Sequence, residues 1–565
     1  MSKNTKSLLA ALLLLTAGIT NTMAQSLKIE PLANDNYLIR VARNATERYI
    51  ILPIEETAPE SQVNVIVDNT QHSFLKIRLA LTHVDYYVPF CLDKYRGRNL
   101  VLFTHINIDR SNRGGVGSEI CLQDIRLADT FDVTNREKYR PEYHHTPVYG
   151  WMNDPNGMFY KDGVWHLYYQ YNPYGSMWGN MHWGHSVSKD LIHWQHKPLA
   201  LTPDAHGAIF SGSCVVDHAN TAGFGTGAII ALYTSANDVQ SQSLAYSLDD
   251  GETFNVYEGN PILTADIPDF RDPNMFWHEA TKRWILIMSA GQEMRIYSSP
   301  NLKEWTEESR FGREFGCHSG VWECPDLLQL NISDRKSKVK SKWVLICNIN
   351  PGSPSGGSGT QYFVGNFDGH KFTLDNPKRY TSGKSLWQDY GKDHYATVSF
   401  SNAPDSRHTM IGWMSNWQYA NQVPTKQYRS ANTICREPFL YYGADKQIYL
   451  GSRPSPEYDG KGYDQTIKVK GSCTVTLSNN EGEEFKIIYD EKSMTLTTDR
   501  SGSGEKAFSQ DFDQISIAPV RNRLSTMRIF IDNSSVEVFG NDGEVAITNL
   551  VFPKSKYNNI NVSKQ

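Results

Sequence analysis

The sequence predicts an all-β chain: a five-bladed β-propeller followed by a C-terminal β-sandwich and preceded by a small N-terminal β domain. Three observations predict it. First, almost no segment carries a 3.6-residue apolar period, whereas short alternating or aromatic-rich runs such as VWHLYYQY, AIIALYTS, RWILIMSA and KWVLICNI recur, each bounded by Gly, Asn, Asp or Pro. Second, one unit repeats in the middle of the chain. SKDLIHW, SLDDGETF, SSPNLKEW and NFDGHKF each lead a strand through a polar turn to an aromatic, and these aromatics (Trp194, Phe254, Trp305 and Phe372) are 60, 51 and 67 residues apart. A hairpin with a packing aromatic at that pitch marks propeller blades, and residues 385–440 supply a fifth. Third, after residue 450 the strands lengthen and alternate cleanly, as in KIIYDEKSMTLTTDR and MRIFIDNSSVEVFG, which fits a sandwich.

Taken in order, residues 1–24 have a lysine-bearing start, an apolar run from Leu8 and a small-residue exit at Ala24, the pattern of a secretory signal peptide. The apolar run is too short to span a bilayer, and no cysteine near residue 24 offers a lipid anchor, so an exported protein without a membrane anchor is expected. It is periplasmic if the source is Gram-negative and extracellular otherwise. Residues 25–140 hold strands such as NYLIRVAR, QVNVIVDN and FLKIRLAL and form the N-terminal β domain, to which no chemistry is assigned. Residues 141–445 form the propeller and 446–565 the sandwich. Charged residues make up 21% and hydrophobic ones 39%, a globular composition, and a net charge of −5 gives no basic face for nucleic acid. The eight cysteines show no metal-ligand spacing; most are expected as buried apolar residues, with Cys91–Cys121 the candidate bridge. The segment PGSPSGGSG (351–359) reads as a flexible loop and lacks the ending of a phosphate loop.

A propeller offers a central funnel to which the inner strand of each blade delivers one or two side chains. Three acids stand at the openings of different blades: Asp154 in WMNDPNG, Asp272 in DFRDPNMFW and Glu323 in VWECPDLL. Each has a plain structural alternative, since Asp154 and Asp272 suit turns and Glu323 a surface. Three aromatic-flanked acids converging on one funnel favour chemistry, and the apolar neighbours of Glu323 suit a proton donor. Glycosidic cleavage needs a proton donor and a second carboxylate that attacks the anomeric carbon or activates water; a third can hold sugar hydroxyls. Trp151, Trp178, Trp183, Trp277, Trp322, Trp413 and Trp417 offer faces for sugar rings or packing between blades, and Asn153, Gln170 and Arg271 offer hydroxyl contacts. His182 and His185 are poorly spaced for a metal, and neither metal nor cofactor is required.

In this order the chain carries WMNDPNG, FSGS (210–213), RDP (271–273), EC (323–324), DHYA (393–396) and GWMSNWQYANQVPT…YRSAN, and later IDNSSVEVF (531–539). This set resembles glycoside hydrolase family 32, the β-fructosidases, over residues 143–565, with the N-terminal domain outside the resemblance. It implies that Asp154 is the nucleophile, Glu323 the general acid and then base, and Asp272 the transition-state stabiliser of a retaining double displacement. It also implies fructose-pocket roles for Asn153, Gln170, Trp178, Phe210, Ser211, Arg271, Asp393 and Trp413. The expected activity is exo-acting release of fructose from inulin, levan, fructo-oligosaccharides and sucrose. Endo cleavage or fructosyl transfer in the same family, and a non-catalytic carbohydrate-binding protein, remain the alternatives; linkage preference and oligomeric state stay open.

Overall fold

The computed structural model describes residues 26–564 except 107–119, 135, 335 and 382; the leader expected over 1–24 lies outside the described residues. The chain divides into two compact units, Met1–Val84 with Pro89–Phe131, and Asp85–Val88 with Asp132–Gln565.

The first unit is built on a five-stranded antiparallel sheet in the order Leu27–Pro31, Asn36–Val41, Leu100–His105, Ser61–Val67 and Thr70–Ile77. Alternation sets its core: Val63, Val65, Leu100 and Leu102 point inward, two residues apart on their strands. Glu55 is buried as a structural acid, accepting the N–H groups of Leu81 and Thr82 at 2.8 and 2.7 Å. The expected Cys91–Cys121 bridge is not made: Cys91 is an exposed free thiol.

The second unit begins with five consecutive sheets, each of at least four strands and antiparallel except for one late strand in the first. Their first strands are β1 (Gly150–Lys161), β2 (Ala208–Asp217), β3 (Phe270–His278), β4 (Val321–Asn331) and β5 (Tyr395–Ser399). The repeat in the sequence has a definite structural cause. In its four copies an Asx side chain caps the turn before the outermost strand: Asp190 accepts His193 N–H, Asp249 accepts Thr253 N–H, Asn301 accepts Glu304 N–H and Asp368 accepts Lys371 N–H, all at 2.8–3.0 Å. The following residue, Leu191, Asp250, Leu302 or Gly369, takes a left-handed φ of 61°, 59°, 63° or 95°. The aromatic then opens, or immediately precedes, that outermost strand. The ring is closed by the late segment Tyr428–Arg429, which pairs in parallel with Gly150 and Trp151 of β1.

The Gly/Ser-rich segment 351–359 is pinned, contrary to expectation. Asn416 Nδ2 donates to Gly356 O at 3.1 Å, Lys392 Nζ to Ser355 O at 3.0 Å, Ser355 Oγ to Tyr390 O at 2.7 Å and the Trp417 N–H to Ser358 Oγ at 3.2 Å. A short run of glycines here serves close approach: a Cβ at Gly357 would lie 2.1 Å from Asn416 Oδ1.

After the propeller come two packed sheets, Asp464–Lys468/Thr526–Asp532/Ser535–Gly540/Val545–Leu550 and Ser516–Pro519/Thr495–Asp499/Glu484–Asp490/Cys473–Ser478/Asn559–Lys564. Val475, Leu477, Phe485, Ile487, Ile529, Val538 and Ile547 fill the space between them. A buried ionic network joins this sandwich to the propeller. His144 lies between Asp532 and Glu537 at 2.8 Å each; Glu537 in turn meets Arg436, which reaches Asp389 at 2.8 Å. Burial opposes charge on His144, but the hydrogen bonds it donates to the two carboxylates outweigh it and hold its pKa at about 9. Arg436→Met should therefore leave Asp389 buried without its cation and Glu537 with His144 alone, and cost about 3–5 kcal/mol. The urea midpoint checks this, with the exposed Arg523→Ala expected to move it little.

Candidate active site

A repeated irregularity builds the site. Each of β1 to β5 breaks register with its neighbour near its start, the skip falling between partners of Met152 and Pro155, Ile209 and Gly212, Arg271 and Asn274, Glu323 and Asp326, and Tyr395 and Val398. A bulge puts extra residues opposite the partner strand and re-aims the side chains there. The skipped or flanking positions are Asn153 and Asp154, Phe210 and Ser211, Asp272, Glu323 and Cys324, and Tyr395. Asp272 and Cys324 hold left-handed φ of 63° and 42°, a strained backbone for non-glycine residues.

These bulges bring the three predicted acids together. Asp154 accepts hydrogen bonds from Asn153 Nδ2 and Ser211 Oγ, each at 3.0 Å, and Trp151 Nε1 fixes Asn153 by donating to its Oδ1 at 2.8 Å. Asp272 accepts the N–H of Cys324 at 2.9 Å, while its own N–H donates to Thr234 Oγ1 at 3.0 Å. Glu323 is held by Arg271, whose Nη2 lies 2.8 Å from Oε1, and by the Tyr395 hydroxyl, which donates to Oε2. Arg271 is anchored on its other side by Asp269 at 2.5 Å and passes 3.9 Å from Asp272. The Cys324 thiol lies 3.4 Å from Asp154 Oδ2 and 3.6 Å from Asp272 Oδ2. Burial and the three acids push this thiol well up, so it remains an S–H facing carboxylates.

Burial and, secondarily, the charge of Glu323 raise the Asp154 pKa from 3.8 to about 6. Burial raises Asp272 as well, with Arg271 opposing and Glu323 and Asp154 adding to the shift. Crowding acids in a site of restricted solvent access is what tunes carboxyls for acid–base and nucleophilic work.

Of the other predicted residues, Asn153, Ser211 and Arg271 touch the acids directly. Gln170 and Trp413 are buried with their side-chain Nε2 and Nε1 unpartnered among the described residues. Trp178 is 46% exposed and lies edge-on to Phe210 and Trp417, with centroids 6.3 and 6.5 Å away; Trp417 in turn packs on Trp151 and Trp413. Asp393 does not join them. It precedes β5 and turns to the sandwich, where Arg500 Nη1 at 2.6 Å, the Leu550 N–H at 2.8 Å and the Tyr419 hydroxyl at 2.6 Å occupy its oxygens. Trp183 and Trp322 are packing residues, donating to the Phe210 and Cys317 carbonyls, and Trp277 lies towards the far end of β3. Sequence reasoning passed over Tyr395, although it stands in the same DHYA motif as Asp393; the β5 bulge aims its hydroxyl at Glu323. No group of three or more His, Cys, Asp or Glu that could hold a metal ion is found among the described residues.

The model of the glycosyl hydrolases family 32 N-terminal domain matches residues 144–451 and that of the family's C-terminal domain residues 444–565; a domain of unknown function, DUF4980, matches 33–143. A levanase of Bacillus subtilis is 44% identical over 460 residues, covering 74% of this chain and 67% of that protein. An extracellular exo-inulinase of Aspergillus awamori is 36% identical over 512 residues, covering 78% and 93% respectively. The crystal structure of exo-inulinase from the same organism superposes with a TM-score of 0.69 at 34% identity, over 77% of this chain and 96% of that one.

Proposed function

Since the chain belongs to glycosyl hydrolases family 32, we propose that its three clustered carboxylates carry out a retaining double displacement on terminal β-fructofuranosyl residues of fructans, fructo-oligosaccharides and sucrose. The chain is an exo-acting fructosidase. The observation that carries the mechanism is the linkage of Asp154, Asp272 and Glu323 through Cys324 and Arg271 within one set of bulged strand ends.

In the first step an Asp154 oxygen attacks the anomeric carbon of the fructosyl unit. Glu323 gives its proton to the glycosidic oxygen, so the leaving sugar departs as a neutral alcohol and a fructosyl ester remains on Asp154. In the second step Glu323, now a carboxylate, takes a proton from water, and the hydroxide oxygen displaces Asp154 from the same carbon. Arg271 and Tyr395 keep Glu323 in one orientation through both steps. Asp272 holds sugar hydroxyls, a contact that strengthens as positive charge develops on the ring. Asn153, Gln170, Trp178, Phe210, Ser211 and Trp413 form the surrounding pocket. A leader over residues 1–24 exports the protein to the periplasm or medium; no helix among the described residues is long and apolar enough to cross a membrane.

Only ionised Asp154 can attack, so kcat/KM on sucrose should fall as pH drops through about 6. A profile flat down to pH 4 would contradict the assigned burial effect. Chromatography of products from inulin, levan and sucrose tests the exo reading: free fructose as the sole early product supports it and names the preferred linkage, whereas early oligosaccharides would replace it with endo cleavage.

A further inference from the structure

The five strands that deliver the acids also build a second concavity at their other ends. Met158, Ser213, Asn274, Asp326 and Ser399, one from each strand, line a cavity of about 780 Å³. These residues lie two to four positions past Asp154, Ser211, Asp272, Glu323 and Tyr395, which at ~3.3 Å per residue is roughly 7–13 Å along the strands. The volume lies in the range of small-molecule sites. The five strands thus carry two separate sets of inward-facing side chains, and the chemistry above uses one of them.

The second concavity has the chemistry of a sugar site. On one side Trp277, 38% exposed, stands edge-on to Trp284 at 5.2 Å, and Phe276 lies against Trp343 at 5.7 Å. The tryptophans Trp151, Trp183, Trp322 and Trp413, by contrast, are fully buried. Around the ledge stand uncharged hydrogen-bonding groups. Asn274 spends its Nδ2 on Pro325 O at 3.0 Å, Gln329 spends its Nε2 on Ser341 Oγ at 3.2 Å, and each retains its amide oxygen. Asn331 closes the end of β4 at an exposed position. The charges in the lining are already committed. Asp326 accepts the N–H groups of Leu327 and Ser399, both at 2.8 Å, and Arg407 is bound by Glu437 and Glu457. The two histidines of the lining, His218 and His408, turn their Nε2 to Asn402 Oδ1 and the Gln329 carbonyl at 3.1 Å each, so no unpaired carboxylate or guanidinium is left to meet a charged ligand. Such a surface fits a ligand with apolar C–H faces and many neutral hydroxyls.

We propose that this second concavity is a non-catalytic binding site for a stretch of fructan, which keeps the enzyme on its polymer between cuts. The choice of fructan rests on the activity assigned above. Tethering raises the local concentration of chain ends at the catalytic site without any new contact there.

The test is electrophoresis of the full mature protein and of Trp277→Ala through gels containing levan, inulin or dextran, alongside kinetics on sucrose and on each fructan. Wild type should be retarded by levan or inulin and not by dextran. Trp277→Ala should weaken that retardation about tenfold, the usual effect of removing one aromatic anchor, and raise KM on the polymer while leaving kcat/KM on sucrose unchanged. Equal retardation of wild type and variant, or equal retardation by dextran, would overturn the proposal. Should Trp277→Ala also lower sucrose turnover, Asn331→Ala at its exposed position decides instead, and undiminished retardation there would overturn it. Failure of wild type to hydrolyse any fructoside would refute the activity, and leaves the retardation readout to judge this site separately.

Discussion

Replacing Asp154 with Asn should abolish turnover and, at neutral pH, stabilise the fold. The loss of activity follows from the missing nucleophile and should reach on the order of 10⁴-fold or more in kcat, as for other enzymes stripped of the attacking group. The gain in stability follows from the same burial that serves catalysis. Asp154 has a pKa of about 6 in the folded chain against 3.8 for the free side chain, so the folded state binds the proton more tightly than the unfolded state. Stability therefore falls as pH rises from about 4 to about 6, and the full cost is present at pH 7. The gap between the folded and free values corresponds to about 3 kcal/mol as an upper figure. Asp154→Asn removes the charge while keeping the shape that faces Ser211 and Asn153, so its Tm should exceed wild type at pH 7 and approach it at pH 4. Equal Tm values at pH 7 would mean that the carboxylate is not held in a desolvated site. A loss of activity accompanied by a lower Tm would point to a structural role for Asp154.

Glu323→Gln should separate the two steps of the reaction. The variant keeps the side-chain shape between Arg271 and Tyr395 but cannot donate a proton to the departing sugar oxygen. Turnover of inulin, levan and sucrose should fall by roughly 10²–10⁴-fold, the range for a lost general acid. Fructosyl fluoride needs no proton on its leaving group, so its first step should run near the wild-type rate. Water is no longer activated, however, and fluoride release should appear as a burst of about one equivalent per enzyme followed by a slow phase. Equal losses on fluoride and on natural sugars, with no burst, would remove Glu323 from the acid role and return attention to Asp272.

Much of this architecture could be read from the chain because it is written in local chemistry. The four Asx turns at Asp190, Asp249, Asn301 and Asp368 need a capping side chain followed by a left-handed residue, so each leaves a short recognisable string before its aromatic. The acids could be read for a related reason, since each stands in a tight Asp-Pro, Arg-Asp-Pro or Glu-Cys setting at the start of a strand. What escaped depends on pairing between distant segments. A bulge is a mismatch between two strands, and neither β3 nor β5 shows it alone. The aim of Tyr395 at Glu323 and the turn of Asp393 towards Arg500 therefore could not be separated within one four-residue motif. The segment 351–359 was misleading for the opposite reason. Its composition is that of a flexible linker, but its glycines admit Asn416, and the resulting hydrogen bonds hold it in place.

A covalent bond between Asp154 and fructose is the step on which the whole mechanism depends, and it can be tested directly. The Glu323→Gln protein is mixed with fructosyl fluoride, quenched with acid within the burst and digested, and the peptides are weighed. One added fructosyl unit on the peptide containing Asp154, absent when Asp154→Asn is combined with Glu323→Gln, is the predicted result. An unmodified peptide after a full burst of fluoride, or the added mass on the peptide containing Asp272, would contradict the mechanism.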